Sequence, residues 1–253
     1  MKWLRERVQS GELLSGTWLN LGSSLTAEMT GLAGFDWVCI DLEHGAGDHS
    51  ELVLQLQALS GTPAAPLVRL TWNEPPRFKR ALDLGPSGLV IPWVNNADEA
   101  KAAVAAMQYP PRGIRGVAKM NRAAGFGGDF DEYFSRASDD LLTVVQIETK
   151  EAIDQVDEIA KVDGVDVVFV GPLDLSISLG VPQDFQHAKF NEAVDRVLKA
   201  TKNAGKAAGI IGFGADSVEK FIEKGFTFIA IGSDGSLVND GMKKLAQGIN
   251  QHK

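Results

Sequence analysis

The segment DWVCIDLEHGAGD, residues 36–48, rises through apolar side chains and then delivers Asp41, Glu43 and His44 within four positions. A strand that only had to reach solvent would end on solvating residues. Two carboxylates and an imidazole at one strand end suit proton transfer instead, because a carboxylate fixes the tautomer of a neighbouring imidazole and raises its basicity. Asp41 with His44 is the expected pair, and Glu43 is expected to face the outer layer. Other chemistry-bearing residues sit at or just beyond the ends of apolar runs: Trp18 in SGTWLN, Arg69 in PLVRL, Gln146 and Glu148 in LTVVQIE, and Asp174 shortly after VDVVFVG.

Glu148 and Asp174 are 26 positions apart, associated with consecutive apolar runs. Two close carboxylates repel, so one takes up a proton unless a cation lies between them. A hard divalent ion such as Mg²⁺ or Mn²⁺ accepts one or two protein carboxylates and keeps its other positions for water or substrate oxygens. That open coordination suits Lewis-acid work. The alternative makes Glu148 a carboxylate answering a helix macrodipole and Asp174 an N-cap for LSISLG. Arg69, always charged, either pairs with Glu148 or Asp41 or aims at a developing oxyanion. The Gly-Pro turn at 171–172 would set the Leu173 and Asp174 amides as an anion nest suited to a carboxylate. IGSDGS at 231–236 reads either as a second nest or as a turn with a helix cap.

Side chains so far apart in sequence converge only if the elements carrying them close into one body. Eight short apolar runs are candidate strands: 15–20, 36–41, 66–70, 88–92, 142–148, 165–171, 206–212 and 226–232. Between them lie stretches of helical period such as HSELVLQLQALS, NADEAKAAVAAM, TKEAIDQVDEIAKV and FNEAVDRVLKATKNAG. Near-continuous apolar strands alternating with helices imply a parallel sheet covered on both faces. Eight units predict an α/β fold, a single (β/α)₈ TIM barrel over residues 1–253 whose strand C-termini share one mouth. An open doubly wound sheet is the alternative, weakened because neither a dinucleotide nor a P-loop glycine motif is present. Asn96 with Glu99, and Asp216 with Glu219, have capping-box spacing, while Gly205 and Gly225 stand where helices should stop. The long excursion 93–141, with PPRGIRGVAKMNRAAGFGGDF, reads as a functional loop at the barrel mouth.

Bulk properties narrow the classes. With 253 residues, 44% hydrophobic content and a net charge of −8, the chain reads as a globular protein without nucleic acid as its main partner. No apolar run approaches the roughly 20 residues of a membrane span. The single cysteine, Cys39, lies in an apolar run, which excludes disulfide stapling and points to a reducing, cytoplasmic setting. His49 opens a helix and His187 and His252 fall in polar contexts, so a clustered zinc site is not expected. No strand end offers the lysine that a Schiff-base enzyme needs.

The segments DWVCIDLEHG, LVIPWVNNADEA, PPRGIRG, VVQIETKEAID and VDVVFVGPLDLSISLG, with VRL around Arg69, resemble the HpcH/HpaI family of metal-dependent class II pyruvate aldolases over nearly the whole chain. The resemblance implies reversible cleavage of 4-hydroxy-2-oxoacids to pyruvate, or a close 2-oxoacid, and an aldehyde. It implies a divalent metal, Mg²⁺ or Mn²⁺ with Co²⁺ as a further candidate, held by Glu148 and Asp174, and no organic cofactor. Arg69, and His44 with Asp41, match the family's catalytic positions; Gln146 matches its glutamine. Related enzymes exchange C-terminal helices and form hexamers, dimers of trimers, in which an aspartate matching Asp83 reaches the histidine of a neighbouring subunit. Trp18, Trp72 and Ile211 are candidates for the aldehyde side. A CoA-ester lyase or a 2-oxoacid decarboxylase on the same barrel is the alternative, and a non-catalytic binding barrel a third. Basic residues for CoA could come only from residues 112–122.

Overall fold

The computed structural model describes residues 2–251, so His252 lies outside the described residues. Eight parallel strands close into a barrel in chain order. They are β1 Leu14–Leu19, β2 Trp37–Asp41, β3 Ala65–Arg69, β4 Gly88–Ile91, β5 Leu142–Ile147, β6 Val167–Val170, β7 Ala207–Gly212 and β8 Phe228–Ser233. Each falls within two residues of its sequence-based bounds. The helices are α1 Arg5–Gln9, α2 Ser24–Leu32, α3 His49–Ser60, α4 Pro75–Leu82, α5 Ala97–Met107, α6 Phe130–Asp140, α7 Lys150–Ala160, α8 Pro172–Ser178, α9 Ala188–Ala204, α10 Val218–Lys224 and α11 Asp234–Asn250.

Strand side chains alternate between two cores, as the pleat requires. Trp37, Cys39, Leu67, Val90, Val144, Val167, Phe169, Phe228 and Ala230 fill the barrel interior. Val38, Ile40, Val68, Leu89, Val145, Val168 and Ile229 form the outer layer with the helices. Aromatic stacking sets the interior: Trp37 lies on Phe228 at 4.2 Å and Trp18 on Phe169 at 5.5 Å between ring centroids. Leu4 and Val8, flanking and within α1, join this interior cluster beside Leu14, so the short helix plugs the N-terminal end of the barrel. Only the opposite end remains for chemistry.

Helix boundaries follow the local signals in most places. The Asn96 side chain accepts from the Glu99 amide at 2.9 Å and starts α5. Gly205 and Gly225 close α9 and α10 at φ of +66° and +103°, a conformation that glycine adopts without a Cβ penalty. Asp216 is a correction: it lies in a 3₁₀ turn, and Ser217 precedes α10 without a side-chain cap. The IGSDGS turn is a helix cap, with Ser233 and Ser236 forming a reciprocal capping box at the start of α11.

The excursion 93–141 is the larger correction. Because Asn96 starts α5 directly after β4, the Gly/Arg-rich segment follows the helix and lies at the barrel's N-terminal end. There Ala123 donates its N–H to the Asp83 carbonyl at 3.0 Å, and Arg122 donates to the carbonyls of Leu84 and Leu56 at 2.6 and 3.1 Å. It closes the floor of the molecule rather than the mouth.

α11 leaves the barrel surface. Leu237, Met242, Leu245 and Ile249 on it are exposed, as are Leu25, Met29 and Leu32 of α2. No described helix is long and apolar enough to cross a membrane.

The tight interior generates a stability prediction. A Cβ on Gly16 would overlap the indole ring of the fully buried Trp37. Gly16→Ala should therefore lower the denaturant midpoint, with a loss of about 1–3 kcal/mol. Gly11→Ala, with no neighbour near its Cβ but a φ of +77°, should show only the smaller backbone penalty.

Candidate active site

The two-residue period that fills the interior also delivers the site. Trp37 and Cys39 point inward, so Asp41 does too; Leu67 is followed inward by Arg69, and Val144 by Gln146 and Glu148. Asp41 is register partner to Arg69, and Gln146 to Phe169. Polar groups thus form the layer directly above the apolar core. Trp18 is its floor: the indole is 5% exposed, and the Arg69 guanidinium stands 5.6 Å above its ring centroid.

Arg69 is the centre of the layer. Its Nε and Nη2 donate to Asp41 Oδ1 and Oδ2 at 2.9 and 2.8 Å. Its Nη1 lies 3.0 Å from Glu43 Oε2 in an ion pair. Burial disfavours the charged guanidinium, but the Asp41 hydrogen bonds together with the Asp41 and Glu43 charges outweigh it and hold the Arg69 pKa above its ordinary value.

Two expectations are corrected here. Glu43 does not face the outer layer. It follows Asp41 by two residues, so the alternation that turns Leu42 into the outer layer turns Glu43 inward. Nor does Asp41 hold the His44 imidazole. Its oxygens already accept two Arg69 donors and the Glu43 and His44 amides, the latter at 3.0 and 3.2 Å. The imidazole stands at the rim, 64% exposed, with Nε2 3.9 Å from Glu43 Oε1.

Glu148 is 2% exposed. Its Oε1 accepts from the Trp93 amide at 2.7 Å and its Oε2 from Gln146 Nε2 at 3.3 Å. Gly171 leaves room for it, since a Cβ there would strike the Glu148 carboxylate. Burial pushes the Glu148 pKa up to about 7; the Trp93 N–H opposes this, and the Glu43 and Asp174 charges reinforce it. Asp174 sits half-buried in the first turn of α8. The first intrahelical bond there runs from the Leu175 amide to the Gly171 carbonyl at 3.0 Å. The Leu173 and Asp174 amides precede it, as an anion nest requires.

Four carboxylates (Asp41, Glu43, Glu148 and Asp174) thus share the mouth with one guanidinium. That excess of negative charge, together with the Gln146 Oε1 atom buried without a hydrogen-bond partner, fits a hard divalent cation held by Glu148 and Asp174. Among the described residues no three His, Cys, Asp or Glu side chains form a metal cage. An ion held by this pair would keep open positions for substrate.

Trp93 escaped the sequence reading. It follows Pro92 in an unremarkable apolar run, yet it adopts φ +55°, and its indole Nε1 donates to Glu43 Oε1 at 3.2 Å. Ile211 packs on the interior cluster from β7, while Trp72 is exposed and lies 6.2 Å from Trp93 between ring centroids. Asp83 is at the other end of the barrel. It caps α4 and accepts from the buried Arg115 Nη2 at 3.0 Å, so it meets no other site residue of its own chain.

A closed parallel barrel whose strand ends gather an acidic, arginine-centred cluster at one mouth is an enzyme architecture. The sequence profile of the HpcH/HpaI aldolase/citrate lyase family matches residues 14–240, and the chain belongs to that family. It is 40% identical to a 4-hydroxy-2-oxo-heptane-1,7-dioate aldolase of Salmonella dublin, over 96% of this chain and 92% of the relative. An HpcH/HpaI aldolase/citrate lyase family protein of Burkholderia cenocepacia J2315 superposes with a TM-score of 0.93 at 38% identity, covering 98% of both chains. An HpcH/HpaI aldolase of Desulfitobacterium hafniense DCB-2 gives 0.91 at 27%, covering 98% of this chain and 97% of its own.

The Glu148 environment sets a pH prediction for the ion-free protein. A carboxyl whose folded pKa is raised stabilises the fold fully below its ordinary value of 4.5, and that contribution is lost as pH rises through about 7. The difference corresponds to on the order of 3 kcal/mol. Denaturant unfolding after chelation should show most of this loss between pH 5, near the lower end of that range, and pH 8, about one unit above it. Glu148→Gln should flatten it, and adding Mn²⁺ at the higher pH should restore stability to the native chain alone.

Proposed function

We propose that the protein cleaves 4-hydroxy-2-oxoacids reversibly to pyruvate, or a close 2-oxoacid, and an aldehyde. One observation carries this reading: a guanidinium clamped in place by Asp41 at a mouth that also holds the buried Glu148 and half-buried Asp174 carboxylates, with an imidazole at its rim. Family membership and the 40% identity to a 4-hydroxy-2-oxo-heptane-1,7-dioate aldolase support the same chemistry.

Glu148 and Asp174 would hold the divalent ion, Mg²⁺ or Mn²⁺ with Co²⁺ as a further candidate. When bound, it supplies Lewis-acid polarisation worth several kcal/mol. The Leu173 and Asp174 amides hold the substrate carboxylate, and the Gln146 carboxamide orients the keto end. His44 takes the C4 hydroxyl proton. The C3–C4 bond breaks, the aldehyde leaves, and the bond electrons collect as the enolate of pyruvate. Arg69, fixed by Asp41, presents an N–H to the enolate oxygen as it gains charge. Trp18 is the floor beneath, and Ile211 forms part of the β7 wall on the aldehyde side.

A CoA-ester lyase would need cations at the mouth for the nucleotide. The basic residues of 112–122 are at the opposite end of this chain, where Arg112 pairs with Asp139 and Arg115 with Asp83. That placement favours the small hydroxyketoacid.

The apolar faces of α11 and α2 support exchange of α11 between copies in a hexamer, a dimer of trimers, in which Asp83 would reach a neighbouring copy's His44. Leu245→Glu should then reduce the mass seen by light scattering. A reducing, cytoplasmic setting accords with the fully buried Cys39 thiol.

Pyruvate methyl protons should exchange in deuterated water when Mg²⁺ or Mn²⁺ is present, and a protein that only binds would show no exchange. Arg69→Lys keeps a positive charge between the carboxylates but loses the planar fork. It should lower kcat roughly 10²-fold or more while changing Mn²⁺ affinity little; an unchanged kcat would remove Arg69 from the chemistry.

A further inference from the structure

Glu43 and Trp93 have no part in the mechanism above, yet both are built into the mouth at a cost. Glu43 is a carboxylate whose side chain is only 8% exposed. Its Oε2 is buried near Arg69 without an aligned hydrogen-bond donor. Trp93 holds φ +55°, the left-handed region, which is strained for a bulky residue. Such a conformation persists only when contacts on both sides impose it, and here two do. Its main-chain N–H meets Glu148 Oε1 at 2.7 Å, and its indole N–H meets Glu43 Oε1 at 3.2 Å. One strained residue therefore ties the carboxylate beyond β2 to the carboxylate beyond β5 across the opening.

Glu43 also occupies the place that Asp41 leaves vacant. With every Asp41 oxygen engaged by Arg69 and backbone amides, the acid nearest the imidazole in this chain is Glu43, with His44 Nε2 3.9 Å from Oε1. The exposed ring needs to move only about 1 Å to reach hydrogen-bond distance. Nε2 would then carry the proton and leave Nδ1 for the substrate hydroxyl.

We propose that Glu43 and Trp93 are a pair of positioning residues: the indole fixes the Glu43 carboxylate, which orients the Arg69 guanidinium on one side and the His44 imidazole on the other. The proposal deepens the aldolase reading and rests on it for its catalytic consequence. Misplacing either group by about 1 Å costs up to roughly 10²-fold in rate.

The test compares wild type, Glu43→Gln, Trp93→Phe and the double variant as Mn²⁺-loaded enzymes in 4-hydroxy-2-oxoacid cleavage. Glu43→Gln should lower kcat about 10²-fold and Trp93→Phe about tenfold, with KM within about threefold in each. The double variant should be no slower than Glu43→Gln, because the indole acts only through the carboxylate. The Trp93 indole proton, followed by NMR, should move upfield in Glu43→Gln as the charge-assisted bond is lost. Multiplying losses in the double variant, losses confined to KM, or an indole resonance indifferent to Glu43→Gln would each overturn the pair. A wild-type protein without cleavage or methyl exchange, but with the indole shift intact, would count against the aldolase reading and leave the Glu43–Trp93 bond standing.

Discussion

A single guanidinium, Arg69, holds the charged layer of the mouth together. Taking Arg69 out of water above an indole would cost several kcal/mol if it stood alone. Asp41 matches two of its donors in a planar fork, and Glu43 stands against a third nitrogen. Neither acid would tolerate burial without the arginine. The three residues are therefore mutually dependent, and strands β2 and β3 must keep their register for the fork to close. This unit leaves a surplus of negative charge on the far side of the opening. Burial, reinforced by the Glu43 and Asp174 charges, pushes the Glu148 pKa up to about 7. A divalent cation would relieve that imbalance and, once held, would offset the charge of an anionic substrate.

The barrel divides its labour between ends. Stacked aromatic rings and the α1 plug seal the N-terminal half, and the Gly/Arg segment after α5 hydrogen-bonds across that floor. The C-terminal half is built from short turns: Asn96 starts α5 five residues after β4, and Gly171 and Pro172 start α8 directly after β6. Short turns give a site little conformational freedom, so the candidate site rests on strand ends, the turn after β2 and one strained residue. Asp83, placed at the sealed end, serves another copy's mouth or none, which links the proposed assembly to the proposed chemistry.

Much of this was legible in the residues. Apolar runs separated by helical period implied eight strands and a closed barrel, and their ends nominated Trp18, Asp41, Arg69, Gln146, Glu148 and Asp174 as neighbours. Two-residue alternation should also have placed Glu43 inward, since its spacing from Asp41 is the same as that of Cys39. Trp93 carried no such signal: a tryptophan after proline says nothing of a positive φ, which long-range bonds to Glu148 and Glu43 impose.

Sequence alone thus determined which side chains face the interior, because the pleat repeats every two residues whatever surrounds it. It also set where most helices start and stop, because caps act within one turn. Tertiary structure alone decided who pairs with whom: Asp41 with Arg69 instead of His44, Glu43 within reach of the imidazole, and the glycine-rich segment at the floor. Those choices depend on which donors lie within about 3 Å after closure, and no local pattern encodes a distance between strands.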